Sequence, residues 1–595
     1  MVPMSSLFDH LNPRQIEAVQ YTQGPSLILA GAGSGKTRVL THKVLYLIQE
    51  KKIDPSNIAM MTFTNKAARE MAERVNHQLG FIGTFHSLCA RILRHDAVHI
   101  EMGNDFVIYD DDDTEVLIKN ILKSVTFHRK LTPSYVKYRI SAAKDNMLSP
   151  KKLAAFSQSE QDEVIVDIYG QYQKKLEENN ALDFDDLIVK TVWMFEKKQG
   201  VLDRYQETFT HILVDEFQDT NAAQYRLAKL LAQKYSRITV VGDFSQSIYS
   251  WRGADVKNLK KFEQDFPNTK VFHLEQNYRS TQNVLNFAFE IISGNDTHPI
   301  LKLFTENEQG DDITIKQLTN EQEEALWIAE EVEKLCEFEG YHYDDIAILY
   351  RMNAQSRTIE EAFLHYSIPY VLIGGTRFYE RKEIKDILAY LRLIVNPTDE
   401  VSLERVKKLG KGRFARFKEL YEEIKEQKNE ITTDQCIEYV FNKTGYLDLY
   451  EKDDPEDAPR LENLRELRSV ALRFENLVEF LHQVALVESE YSENERLQKT
   501  KAGVRMMTLH QAKGLEFPVV FIIGVEEGIL PHSRSLYDKY ELEEERRLLY
   551  VGITRARKKL YITYVQRRFL FGRGGYGQVS RFIAYKVGMD QIWDS

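Results

Sequence analysis

Three glycines, a lysine and a threonine stand together in Ala30-Gly31-Ala32-Gly33-Ser34-Gly35-Lys36-Thr37, directly after the apolar run Leu27-Ile28-Leu29. A glycine-rich turn between a strand and a helix gathers backbone N–H groups and a positive helix end around one point, which suits phosphate oxygens. Lys36 would neutralise terminal phosphates and the Thr37 hydroxyl would ligate a magnesium ion. The strict eight-residue pattern begins with glycine; here Ala30 holds that place, and it too is small enough for the turn. Two carboxylates end a second apolar run, His211-Ile212-Leu213-Val214-Asp215-Glu216. Asp215 would hold the magnesium ion, directly or through water, and Glu216 would orient and deprotonate an attacking water. A third run, Ile238 to Asp243, leads into Phe244-Ser245-Gln246-Ser247-Ile248-Tyr249-Ser250-Trp251-Arg252-Gly253-Ala254. Gln246 could sense a γ-phosphate, while Tyr249 and Trp251 could stack on nucleobases, a contact that contributes ~1–3 kcal/mol per base and tolerates any sequence.

The elements that must position these residues follow from periodicity. Arg38 to Glu50 reads as a helix, Ile58 to Thr64 as a buried strand, Asn65 to Leu79 as a helix, and a third strand–turn–helix starts near Ile82. Such alternation predicts a parallel sheet covered by helices, with ligands beyond the carboxyl ends of the strands. Phe63 lies at one such end, either as a base-stacking platform or as core. Asn12-Pro13 begins a capped helix, and Gln15 on it either pairs with an adenine edge or is an ordinary surface glutamine. From Leu88 to about Lys190 the strand signal nearly vanishes, and Asp111–Lys123, Ser134–Lys144 and Gln161–Asn179 have helical periodicity. This stretch reads as an inserted helical domain. The acidic string Asp183-Phe184-Asp185-Asp186 resembles a metal site superficially, but reads better as carboxylates capping a helix N-terminus.

A chain of 595 residues is too long for one core, and 43% hydrophobic with 28% charged residues describes a soluble globular protein. The net charge of −11 speaks against a uniformly basic surface, yet a local basic or aromatic groove can still take nucleic acid. Cys89, Cys336 and Cys436 are too scattered for a zinc site or a disulfide framework and fit a reducing cytosol. The N-terminus lacks the apolar core of a signal peptide and no stretch is long enough to span a membrane, so a cytoplasmic location is expected.

The strings AGAGSGKT, TFTNKAAREM, GTFHS, LVDEFQDTN, VVGD-x-x-QSIYSWRGA and LEQNYRS together resemble the UvrD/Rep/PcrA helicases of superfamily 1, and the match continues to the end of the chain. The resemblance implies an α/β fold of two RecA-like parallel-sheet domains, each carrying an inserted, mainly helical domain. Residues 1–88 and 190–277 would form the first RecA-like domain and 89–189 its insertion. Residues 278–396 and 504–595 would form the second, with 397–503 as a reduced insertion. It implies ATP and Mg2+ as cofactors, single-stranded DNA and 3′-tailed duplex as partners, and 3′-to-5′ movement that unwinds duplex as ATP hydrolysis closes and opens the cleft. Tyr278 would stack on adenine, Arg279 would reach the γ-phosphate from the neighbouring domain and Arg555 would be the second arginine there, while Glu516 would contact the ribose. Ala32, Gly33, Ser34, Gly35 and Arg38 complete the nucleotide set with Lys36 and Thr37. Thr64, His86, Arg252 and His510 join Phe63, Tyr249 and Trp251 against DNA.

In the second half, Ile346–Arg351, Ala354–His365 and Tyr370–Ile373 read as strand, helix and strand, and Phe378–Asn396 as the connecting helix. Val504–Phe517 reads as strand, loop and helix start, Val519–Gly524 as a strand, Glu543–Arg557 as a helix and Leu560–Val565 as the last strand. Arg557 carries the weaker case and reads equally as a surface residue. Three departures from the family pattern stand out. Phe244-Ser245 replaces an acidic residue before the glutamine, Gln511 replaces a small residue, and the chain ends at Ser595 without the C-terminal extension of some relatives. A nucleotide-gated single-strand translocase or protein-displacement factor with poor unwinding is the alternative function. A helicase–nuclease fusion is disfavoured for want of a further domain.

Overall fold

The computed structural model describes residues 7–128, 131–425, 431–485, 502–570 and 573–588. Its contacts divide into two units, Met1–Ser280 with Ile292–Glu308, and Thr281–Ile291 with Gln309–Ser595. The chain therefore passes from the first unit to the second after Ser280, three residues beyond the boundary expected from sequence, and Arg279 belongs by its contacts to the first unit.

In unit 1, β1 (Ser26–Ala30), β2 (Ile58–Thr62), β3 (Phe81–Thr84), β6 (His211–Val214), β7 (Ile238–Gly242) and β8 (Lys270–Leu274) form a sheet in the order β3-β2-β6-β7-β1-β8, with every pairing parallel. Two minor parallel pairs lie outside it: β4 (Val107–Ile108) with β5 (Ala181–Leu182), and β9 (Gln276–Asn277) with β10 (Phe304–Thr305). The central strands are buried on both faces, so they read as continuous apolar runs rather than alternating ones. Leu27 and Leu29 enter one hydrophobic cluster while Ile28 and Ala30 enter the other, on opposite faces of the same strand. The order brings β6, β7 and β1 side by side, so Asp215, Asp243 and the glycine-rich turn emerge at one edge.

The inserted helices Asp111–Leu122, Pro133–Asp145 and Glu160–Glu178 match the sequence expectation closely and enclose their own core of Ile118, Val136, Ile165 and Tyr172. Asp183 caps the next helix, Phe184–Lys197, by accepting from the Asp186 N–H at 2.8 Å. Lys144, fully buried, reaches Asp183 at 2.6 Å and Asp186 at 2.9 Å, and Tyr172 donates to Asp183 at 2.8 Å. Burial works against charge on Asp183, but Lys144 overrides it and holds that carboxyl below its usual range. Asp145, bonded by the Asn221 amide, is pushed up to about 8 by burial and by the charge of Asp185.

In unit 2, β11 (Thr314–Leu318), β12 (Ile346–Tyr350), β13 (Tyr370–Leu372), β14 (Val504–Thr508), β15 (Phe517–Ile522) and β16 (Ala556–Val565) form a second parallel sheet, ordered β11-β16-β15-β12-β14-β13. An antiparallel hairpin, β17 (Arg567–Leu570) with β18 (Arg573–Tyr576), follows β16, so Leu560–Val565 is not the last strand. The helix expected over Glu543–Arg557 is Lys539–Ile553, and β16 starts at Ala556. After β14 the chain makes a turn rather than a helix start, because Phe517 is needed in β15. The second insertion differs from the first: Val406, Phe417, Ile437, Leu464 and Phe480 share one cluster with Ile384, Leu388 and Leu391 of the connecting helix Lys382–Val395. Residues 486–501 of that stretch lie outside the described residues.

Two outcomes are expected from the buried charges. Lys144→Met leaves two buried carboxylates without their cation and should destabilise unit 1 by ~3–5 kcal/mol, read from its denaturant unfolding transition. Asp145 binds its proton more tightly folded than unfolded, so its ionisation removes stability as pH rises from about 4 to about 8. Asp145→Asn should flatten that slope in thermal unfolding across this window and should raise the melting temperature at its alkaline end.

Candidate nucleotide and nucleic-acid sites

The glycine-rich turn of unit 1 is held from three sides. Gly33 and Gly35 have φ of +65° and +84°, a conformation that favours glycine, and Lys36 opens the helix Lys36–Gln49. A Cβ on Gly31 would sit 2.2 Å from Leu303. One on Gly33 would meet the Asn277 amide nitrogen at 2.7 Å and the Arg279 Cβ at 2.9 Å. Asn277 is buried and fully employed: its Nδ2 donates to the Ala32 carbonyl at 2.7 Å, and its Oδ1 accepts from the Arg279 and Ser280 N–H groups at 2.7 and 2.8 Å. The Tyr278 N–H donates to the Gly33 carbonyl at 3.0 Å. The strand segment Gln276–Ser280 is thereby stapled to the turn, and Arg279 starts from beside Gly33.

Gln15 lies wholly buried, unlike a surface glutamine. Its Oε1 accepts from the Asn12 N–H at 3.0 Å, closing the capping box of the helix Pro13–Gln20, and its Nε2 donates to the Ser34 carbonyl at 2.9 Å. Its first role is thus to fix the turn. The Asn12 amide in turn donates to the Tyr278 hydroxyl at 2.8 Å, which leaves the exposed tyrosine ring standing beside the turn. Ser34 is buried, with its hydroxyl on the Gly31 carbonyl at 2.8 Å. Thr37 is half-buried at the helix start, and Arg38 is exposed, with its guanidinium 3.4 Å from the His10 carbonyl.

At the carboxyl ends of β6 and β7 the charges converge. Lys36 Nζ lies 4.0 Å from Asp243 Oδ2, both largely buried. Asp215 is buried, and its carboxyl is pushed up to about 7 by desolvation and by Glu216, against the pull of Lys36. Its Oδ1 has no hydrogen-bond partner, and neither has the buried Thr62 hydroxyl at the end of the adjacent β2. A buried carboxylate oxygen left unpartnered beside a phosphate-type turn fits a hard divalent cation, which takes one or two carboxylates plus phosphate and water oxygens. Asp215 and Thr37 are the residues that would hold it. Glu216 follows with φ +49°, a left-handed conformation that costs a non-glycine residue ~1–2 kcal/mol and marks a site under constraint. Gln246 is buried with its Nε2 on Asp243 Oδ2 at 2.6 Å, so the glutamine and Lys36 meet on one carboxylate.

The aromatic candidates lie beyond β7, in the segment that carries Tyr249 and Trp251, and at the end of β2. Tyr249 and Trp251 meet edge to face at 6.4 Å, with Trp251 exposed. Phe63 is half-buried and packs edge-on against Phe85 at 6.0 Å, at the margin of the core. The Thr64 hydroxyl caps the helix Asn65–Val75 through the Ala67 N–H at 3.1 Å. His86 packs on the exposed Phe184 at 6.0 Å and burial lowers its pKa, so near neutral pH it offers a hydrogen bond rather than a charge. The side chain of Arg252 lies outside the described residues. Ser245 is buried, with its N–H on Asp243 Oδ1 at 3.1 Å and its hydroxyl 3.1 Å from His298 Nε2, while Phe244 fills the core. These contacts occupy the place of the acidic residue expected there.

In unit 2, Arg555 is buried, with Nε on the Val551 carbonyl at 2.9 Å, Nη1 on the Leu515 carbonyl at 3.1 Å and Nη2 on the Thr554 hydroxyl at 3.0 Å. These bonds fix the orientation of its guanidinium. Glu516 is exposed, with a carboxylate oxygen 4.0 Å from Arg557 Nη1, so Arg557 is a surface partner of Glu516. His510 sits in the turn after β14. Its neighbour Gln511, the departure noted above, accepts from the Thr508 N–H at 2.9 Å and donates to the Gly374 carbonyl at 3.0 Å, tying that turn to the loop after β13. Gln218, Asp243 and Asn277 stand inside motifs to which the sequence assigns them no role; each joins a partner distant in sequence, Gln218 the Asp243 N–H, Asp243 the Lys36 ammonium and Asn277 the Ala32 carbonyl.

Asn277→Ala would remove the partner of the Ala32 carbonyl, of the buried Ser280 N–H and of the half-buried Arg279 N–H. It should cost ~2–4 kcal/mol of stability and lower kcat/KM for nucleotide hydrolysis roughly 10- to 100-fold, checked by thermal unfolding and steady-state kinetics.

Comparison with known proteins agrees with this geometry. The family model described as the UvrD/REP helicase N-terminal domain matches residues 11–267, and the UvrD-like helicase C-terminal domain matches 272–414 and 411–567. The ATP-dependent DNA helicase PcrA of Bacillus subtilis is 44% identical over 98% of this chain and 86% of its own length. The proteins of the same name from Staphylococcus epidermidis and Staphylococcus aureus are 42% and 41% identical over 98% of this chain and 87% and 86% of theirs. With a phosphate-type turn, paired carboxylates and aromatic strand ends in place, the chain belongs to the UvrD/REP helicase family.

Proposed function

We propose that this protein is an ATP-dependent DNA helicase that moves 3′ to 5′ on single-stranded DNA and separates 3′-tailed duplex ahead of it. The observation that carries the reading is the unpartnered, buried Asp215 oxygen beside Lys36, at the strand ends where Tyr249 and Trp251 also emerge. Thr37 and Asp215 would hold Mg2+, which when bound supplies charge neutralisation at the phosphate oxygens. The turn Ala32–Gly35 and Lys36 bind the phosphates, and Tyr278 stacks on the adenine, whose edge Gln15 meets from the helix that also fixes the turn. Arg38 and Glu516 complete the nucleotide contacts. Glu216 takes the proton of the attacking water, and Gln246, Arg279 and Arg555 stabilise the charge that develops on the γ-phosphate.

Contacts to the γ-phosphate exist with ATP and not with ADP, so turnover alternates between two conformational populations. Bases stacked on Phe63, Tyr249 and Trp251 move with that alternation, and Thr64, His86, Arg252 and His510 hold the strand. A cytoplasmic location follows the same reading. Among the described residues no helix is long and apolar enough to cross a membrane.

Lys36→Ala tests this directly. It should abolish DNA-stimulated ATP hydrolysis while leaving single-strand affinity within a few-fold, measured by phosphate release and by fluorescence anisotropy of a labelled oligonucleotide. Full turnover in that variant would remove the phosphate role.

A further inference from the structure

Gln218 is fully buried two residues beyond the proposed base, and both ends of its amide are engaged. Its Nε2 donates to Glu216 Oε2 at 2.6 Å and approaches Asp219 Oδ2 at 3.3 Å, while its Oε1 accepts from the Asp243 N–H at 3.0 Å. Its own carbonyl accepts from the Ser247 hydroxyl at 3.2 Å. A Cβ on Gly242 would stand 2.6 Å from Gln218 Oε1, so the strand end is kept bare to admit this amide.

We infer that Gln218 is a positioning residue that aims the Glu216 carboxylate and makes the hydrolytic rate respond to a strand on the aromatic loop. This rests on the reading of Glu216 as the base. Two features support it. Glu216 leaves β6 with φ +49°, and its Oε2 accepts a short 2.6 Å bond from Gln218 Nε2, which restricts the direction of the carboxylate. Gln218 is also joined twice to the segment that leads to Tyr249 and Trp251: once through the Asp243 N–H and once through Ser247, two residues before Tyr249. The Asp243 carboxylate in turn holds Gln246 at 2.6 Å. A displacement of that segment by stacked bases therefore pulls on the group that orients the base. An amide neither titrates nor carries net charge here, so what it transmits is position.

The test uses the full chain and an oligothymidylate probe. Gln218→Glu keeps the volume and the acceptor for the Asp243 N–H but has no N–H for Glu216 when ionised. Gln218→Met removes both bonds, and Gly242→Ala pushes the amide aside without altering it. In each folded variant the oligonucleotide-stimulated kcat should fall roughly 10- to 100-fold, while KM for ATP and oligonucleotide affinity stay within twofold. The ratio of stimulated to unstimulated rate should fall with it. A stimulated kcat within twofold of the parent in the folded variants would overturn the inference, as would a rise of KM parallel to the loss of kcat. Glu216→Gln is run alongside. If it keeps parental turnover, the base reading fails; if it is inactive while the Gln218 variants turn over normally, only the present inference fails.

Discussion

Buried charge at the carboxyl ends of three adjacent strands is the constraint on which unit 1 depends. Lys36, Asp215 and Asp243 are taken largely out of water, where each is costly alone, and the sheet order is what lets them compensate one another. The compensation is incomplete by design of the fold. Asp215 Oδ1 has no hydrogen-bond partner, and desolvation together with Glu216 pushes its carboxyl up to about 7.

Around that centre the protein uses side-chain amides rather than further charges. Gln15 holds Ser34, Asn277 holds Ala32 and the start of Arg279, Gln218 holds Glu216, and Gln246 holds Asp243. An amide offers a donor and an acceptor without a desolvated charge, so it can link two backbone segments inside a dry core at modest cost. The same device recurs in unit 2, where Gln511 joins the turn bearing His510 to the loop at Gly374. Glu216, Gln218, Asp243 and Ser247 are in this way one hydrogen-bonded group, and the Lys36–Asp243 ion pair at 4.0 Å brings the glycine-rich turn against it.

Much of this was legible in sequence, because it is local. The glycine-rich turn, the acidic strand end, the aromatic loop and the three inserted helices all follow from periodicity and residue type over a dozen positions. What escaped was non-local or masked by exposure. β11 is an edge strand whose residues Thr314, Lys316 and Gln317 face solvent, so it shows no apolar run. The helix Glu321–Phe338 buries Ala325, Ile328, Ala329, Val332 and Leu335 on one stripe, but its many glutamates make the segment read as a charged surface stretch. Gln218 reaches the Asp243 N–H and the Ser247 hydroxyl, Asn277 the Ala32 carbonyl and Arg555 the Leu515 carbonyl, contacts 25 to 245 residues apart in sequence for which residue type gives no signal. The shared core of the second insertion likewise depends on contacts with the connecting helix that no local pattern records.

The central claim is that nucleotide chemistry and strand grip are one mechanism. It is tested most directly by following unwinding of 3′-tailed, 5′-tailed and blunt duplexes side by side, with ATP consumption recorded in the same reactions. The account predicts that only the 3′-tailed duplex is opened efficiently, in proportion to ATP consumed. Opening that proceeds without hydrolysis, or hydrolysis indifferent to the presence of a single-stranded tail, would contradict it.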